Sequence, residues 1–143
     1  MPAQRDPGRL AQARAMKETP LKAQTLALAG ATGWRRYHPL PAAYTRRNGT
    51  VRVATAQQGE KGFPDLILMH LVVPVGIAAE LKDQDSYPDA EQRAWGERFA
   101  ANPGFLYALW RPWELVTGEI ERLLRDPAAV ARLALDQAAA AAA

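Results

Sequence analysis

Three residues able to cooperate on a phosphoryl group lie close together in the middle of the chain: Asp65, Glu80 and Lys82. Asp65 opens one apolar run, Asp65–Leu71, and Glu80 and Lys82 stand at the end of the next, Val75–Leu81. Residues two apart on a strand project from one face, so Glu80 and Lys82 point together while Leu81 turns the other way, into a core. If the two runs are neighbouring strands, two carboxylates and an ammonium converge at one sheet end. Two carboxylates suit a hard divalent cation whose other positions take water and a phosphate oxygen. Such a cation polarises the phosphoryl group and acidifies water, and a lysine beside it orients that water or offsets charge in the transition state. Uncatalysed phosphate-ester hydrolysis is among the slowest biological reactions, so this chemistry calls for a strong electrophile. An Asp, a gap of fourteen residues and a Glu-x-Lys also arises by chance as an ion-paired strand end, and by itself does not separate the two readings.

Composition narrows the metal. The chain has no cysteine, which excludes a disulfide scaffold, a thiolate zinc site and a cysteine nucleophile. Its two histidines, His38 and His70, are too few for a multi-histidine site, and each alone reads as structural or solvent-facing. An oxygen-ligated ion remains: magnesium, manganese or calcium.

The elements that would position these residues follow from periodicity and breakers. The 143 residues make one domain by length. Residues 1–9, with Pro2, Pro7 and Gly8, read as a flexible N-terminus. Residues 10–126 read as the domain, and 127–143 as an Ala-rich tail, helical or frayed. A helical stretch from Leu10 to Ala31 is expected to break or kink at Pro20. A strand, Trp34–His38, follows Gly33. Asn48-Gly49 predicts a two-residue hairpin pairing Arg47 with Thr50 and Thr45 with Arg52, with Arg47 and Arg52 on a cationic face. After the two apolar strands, Ser86 and Asp89 have capping-box spacing and predict a helix from Tyr87 to Ala101, with Gln92, Trp95 and Phe99 on one face. A strand, Phe105–Trp110, and a helix from Pro112 to Arg125 complete an α/β layout with a mixed central sheet flanked by helices.

Charge is uneven along the chain. The net charge is +3, but residues 1–64 carry 11 basic and 3 acidic residues, while 65–143 carry 7 and 12. Between Gly33 and Lys61 stand six basic residues, Arg35, Arg36, Arg46, Arg47, Arg52 and Lys61, against one acid, Glu60. A basic half invites a polyanion, and such a face binds backbone phosphates without reading sequence. No apolar run reaches the ~20 residues that span a bilayer, and the N-terminus has no apolar segment of signal-peptide type, so a cytoplasmic protein is expected.

Taken together, Gly62-Phe63-Pro64-Asp65-Leu66, Glu80-Leu81-Lys82 and Gln92-Arg93-Ala94-Trp95, with Gly33-Trp34-Arg35 before and Trp110-Arg111-Pro112 after, resemble the PD-(D/E)XK nuclease superfamily. The likeness is to its VRR-NUC group of small phage and bacterial nucleases, and it covers about residues 17–125. It implies a restriction-endonuclease-like core with Asp65, Glu80 and the Leu81 carbonyl holding Mg²⁺ or Mn²⁺, Lys82 as the catalytic lysine and Gln92 turned toward the site. It further implies an acidic residue on the first helix, which fits Glu18, although Thr19-Pro20 follows at once and sets it at a helix start or kink. Small stand-alone members are similar to Holliday-junction resolvases, which implies branched DNA as substrate and a homodimer acting, for a phage-encoded protein, in the bacterial host. A catalytically silent binding module, or a nuclease acting on RNA or duplex ends, stays open. Nothing in the resemblance explains the hairpin in Pro39–Glu60.

Overall fold

A computed structural model describes residues 5–39, 43–45, 49, 51–53 and 60–143. The chain is an α/β protein with a four-stranded mixed sheet and six helices among these residues. Helices α1 (Pro7–Ala15) and α2 (Glu18–Ala31) lead into strand β1 (Trp34–Tyr37). A separate two-stranded ribbon, β2 (Ala43–Thr45) and β3 (Val51–Val53), precedes β4 (Leu66–His70) and β5 (Gly76–Leu81). Helix α3 (Ala90–Ala100) then crosses to β6 (Phe105–Trp110), and α4 (Pro112–Val116), α5 (Glu119–Leu124) and α6 (Pro127–Ala142) close the chain. The sheet order is β1-β4-β5-β6. Its first two pairings are antiparallel and β5–β6 is parallel, as a helical crossover requires.

β5 is buried along its whole length, because helices cover both faces of the central strands. On one face Leu66, Leu68, Ile77, Ala79 and Leu81 pack with Leu21 and Ala29 of α2, Ile120 and Leu124 of α5, and Val130 and Ala134 of α6. Trp34 joins this core and its indole N–H donates to the Leu124 carbonyl at 2.9 Å. On the other face α3 lies over β5 and β6 through the rings of Phe63, Trp95, Phe99 and Phe105. Gly96 makes that approach possible: a Cβ there would stand 2.5 Å from the Tyr107 ring.

Several expected boundaries move. The N-terminus is helical from Pro7, since the Asp6 carboxylate accepts from the Gly8 and Arg9 amides. The break between the first helices falls at Met16-Lys17, not at Pro20. Pro20 is third in α2, where a missing N–H costs nothing. The helix expected from Tyr87 starts at Ala90, because Asp89 and not Ser86 caps it, with Gln92 closing the box. The helix from Pro112 is split by Gly118 at φ +79°.

The ribbon pairs Thr45 with Val51 and Tyr44 with Arg52, one residue out of the expected register. An odd number of residues lies between those partners, so a two-residue Asn48-Gly49 turn does not close them. The division into cationic and apolar faces derived from that turn falls with it. The Ala-rich tail is a packed helix: the Gln137 amide accepts from the Tyr107 N–H at 2.8 Å and donates to its carbonyl at 3.0 Å, occupying the outer edge of β6. Among the described residues, no helix is long and apolar enough to cross a membrane.

Candidate active site

Asp65 is set at the mouth of β4 by the loop before it. Gly62 adopts φ +93°, and a Cβ there would stand 2.6 Å from the backbone of Glu91, so the loop lies against the first turn of α3. Pro64 is fully buried behind it. The Asp65 carboxylate accepts from the Leu81 N–H at 2.8 Å, which fixes it beside the end of β5. Leu81 meets the site through its amide, and its side chain fills the core; the carbonyl expected to hold the ion makes no part of this contact.

Glu80 is the centre of the site and is only 1% exposed. Its Oε1 accepts from the Gln92 amide at 2.7 Å and lies 3.9 Å from the Lys82 ammonium. Its Oε2 is buried without a hydrogen-bond donor among the described residues. Burial pushes its pKa up to about 9; the charges of Asp65 and Glu18 add to this, against the opposing pull of Lys82. The proton retained on Glu80 lets the two carboxyls stand side by side. Tyr107, beneath α3, is pushed up to about 12 by burial and by the charges of Glu80 and Asp65, which places its hydroxyl in the same field.

Glu18 is the first residue of α2, at the helix start that Thr19-Pro20 implied. Its pKa is raised by burial and by Asp65 and Asp83, with Lys82 lowering it, so it lies within electrostatic reach of the pair. The helix dipole alone would have lowered it. Sequence reasoning missed what holds it there. Asp83 accepts the Glu18 N–H at 3.0 Å from 65 residues away, and such a partner leaves no periodic signal. It also missed Gln84, whose buried amide accepts from the Trp113 N–H at 2.9 Å, and Tyr107.

The basic residues divide. Arg35 is exposed on β1. Arg36 lies back along α2 and donates to the Leu26 carbonyl at 3.1 Å. Lys61 forms an exposed ion pair with Glu91 at 3.4 Å. Arg46 and Arg47 fall outside the described residues, and Arg52 is described by its backbone pairing alone. Both ends of the stretch that carries them lie at the site end of the sheet, because Tyr37, the last residue of β1, pairs with Ile67 near the start of β4. His70 is structural: its Nδ1 accepts from the Val72 and Val73 amides and its ring packs edge-on against Trp34. The Arg111 guanidinium is held by the Ser86 carbonyl at 2.9 Å.

The donor set fits a hard divalent cation. It is made of carboxylate oxygens, Glu80 Oε2 is orphaned in the interior, and a cation would replace the proton that Glu80 otherwise keeps. Among the described residues, no three His, Asp or Glu side chains form a metal cage, so an ion here would rest on Asp65 and Glu80 with water and phosphate oxygens completing its shell. No family model, no curated protein and no solved structure matches this chain.

Proposed function

We propose that the chain is a divalent-metal-dependent DNA endonuclease with a PD-(D/E)XK core. The observation that carries this reading is the meeting of Asp65, Glu80 and Lys82 at one sheet end, with Glu80 Oε2 buried and lacking a donor. The succession of a helix, three antiparallel strands, a helix and a parallel strand supports the same reading.

Asp65 and Glu80 would hold Mg²⁺ or Mn²⁺, with the Leu81 carbonyl as the third donor that the resemblance implies. When bound, the ion supplies polarisation of the scissile phosphoryl group and an acidified water. The residues divide the remaining work. Gln92 fixes Glu80 Oε1 and so leaves Oε2 for the site. Lys82, largely buried beside Glu80, orients the attacking water and offsets charge that builds on the phosphoryl oxygens during in-line displacement. Glu18 binds or orients from the rim. Arg35, with Arg46, Arg47 and Arg52 of the stretch between β1 and β4, holds the phosphate backbone. The substrate is branched DNA and the working unit a homodimer, since two symmetric nicks need two sites.

The deciding experiment offers a four-way junction, a flap, duplex, single-stranded DNA and RNA to the protein in Mg²⁺ or Mn²⁺, beside Asp65→Ala and Lys82→Ala. We expect cutting of the junction by wild type, a loss of about a thousandfold in Asp65→Ala and about a hundredfold in Lys82→Ala. Binding without cutting, in either metal, would make the chain a silent nucleic-acid module. Preferential cutting of RNA or of duplex ends would reassign the substrate and keep the chemistry.

A further inference from the structure

The four residues after Lys82 each grip another element of the molecule. Asp83 Oδ1 accepts from the Glu18 N–H at 3.0 Å, and its Oδ2 pairs with Lys17 at 3.8 Å. Gln84 takes the Trp113 amide at the start of α4. Asp85 pairs with Arg14 of α1 at 3.4 Å, and the Ser86 carbonyl holds Arg111. The segment that ends the catalytic strand therefore fastens α1, α2 and α4 to it.

The grip on α2 differs from the others in where it falls. Lys17 is the N-cap of α2, and its side chain makes no capping hydrogen bond. The first amide of the helix, that of Glu18, would be orphaned, and Asp83 satisfies it from outside the helix. This bond fixes the backbone of Glu18 beside Asp83, the residue after Lys82, and the Glu18 carboxylate feels the charges of Lys82 and Asp65. The ion pairs of Lys17 and Asp85 are exposed and contribute little on their own.

We propose that Asp83 is a positioning residue: by capping Glu18 in space it holds the Glu18 carboxylate at the rim of the Asp65–Glu80 pair, where that carboxylate strengthens cation binding. The proposal rests on the metal-dependent reading of the site and extends it to a residue that neither touches the ion nor belongs to the Asp65/Glu80/Lys82 set. With no carboxylate cage of three among the described residues, Glu18 would act on a cation held by Asp65 and Glu80 from outside its direct ligands.

The test measures Mn²⁺ affinity by calorimetry on the intact chain without DNA, beside thermal melts. Variants are Asp83→Ala, Asp83→Asn, Glu18→Gln, the Asp83→Ala/Glu18→Gln double and Asp85→Ala. Asp83→Ala and Glu18→Gln should each weaken Mn²⁺ binding about tenfold, the range of outer-shell losses, and the double should be no weaker than either single. Asp83→Asn keeps an oxygen acceptor for the Glu18 N–H and should bind within about threefold of wild type. Asp85→Ala should bind as wild type.

Unchanged affinity in Asp83→Ala with a loss in Glu18→Gln overturns the positioning role, as do additive losses or a failure of Asn to rescue. If Asp83→Ala does not melt cooperatively, Asp83→Leu is read in its place. Loss of fold in both overturns the proposal in favour of a purely structural Asp83. Wild type that binds no Mn²⁺ overturns the metal-dependent reading itself, a result distinct from all of these.

Discussion

Glu80 carries the most consequential balance at the level of single residues. Removing a carboxylate from water disfavours its charge, and the neighbouring Asp65 adds to that, so the folded protein keeps the Glu80 proton up to about pH 9 against 4.5 for an ordinary glutamate. Between those values the folded state binds more protons than the unfolded chain. Stability of the metal-free protein must then fall as pH rises through that window and level off above about 9. Melting midpoints recorded in EDTA across the window should slope downward for wild type and much less for Glu80→Gln. The same proton must leave when a cation binds, so Mg²⁺ affinity should climb with pH over that range. The Asp65, Glu80 and Lys82 grouping was legible in the sequence because strand alternation has a period of two and because the apolar runs end where the charges begin. Asp83 was not legible, since its partner stands on another element 65 residues away.

Among the elements, α3 sets the precision of the site. It sits close enough for Gln92 to reach Glu80 only because Gly96 lets the Tyr107 ring come within what would be 2.5 Å of a Cβ. Gly96→Ala should push the helix outward. We expect a loss of about 1–3 kcal/mol in unfolding free energy from overpacking, with the cleavage rate falling further than the residual stability explains. A wild-type rate at unchanged melting temperature would show that the ring yields instead. Strands β4, β5 and β6 were readable from apolar runs bounded by Asp65, Pro74, Lys82 and Gly104. The start of α3 was not, because Ser86 and Asp89 both carry N-cap chemistry. Three-dimensional context decided it: Gln92 closes the box on Asp89 while its amide serves Glu80. Pro20 misled in the same way, since a proline that breaks a helix interior is harmless in a first turn. The ribbon register failed because Asn-Gly marks a reversal without fixing how many residues take part in it.

For the molecule as a whole, the uneven charge finds a spatial counterpart. The basic stretch leaves the sheet at Tyr37 and returns ahead of Asp65, so both its ends lie at the sheet end that carries the carboxylates. Arg47→Glu with Arg52→Glu should weaken DNA binding at moderate salt and reduce the slope of log affinity against log salt by about 2. Affinity and slope equal to wild type would remove these two arginines from the interface. The sheet edges also govern how copies of the chain meet. At β6 the Gln137 amide offers Tyr107 the donor and acceptor that a neighbouring strand would offer. That edge is therefore closed to strand addition at its middle. Gln137→Ala should open it, seen as faster growth of light scattering on storage at high concentration, whereas an unaltered rate would mean that α6 shields the edge by bulk alone. With β6 stoppered, self-recognition through the sheet is left to β1, which bears Arg35 and Arg36. Two such edges repel until a polyanion lies between them, so the solubility of the free protein and its readiness to gather on nucleic acid would share one origin.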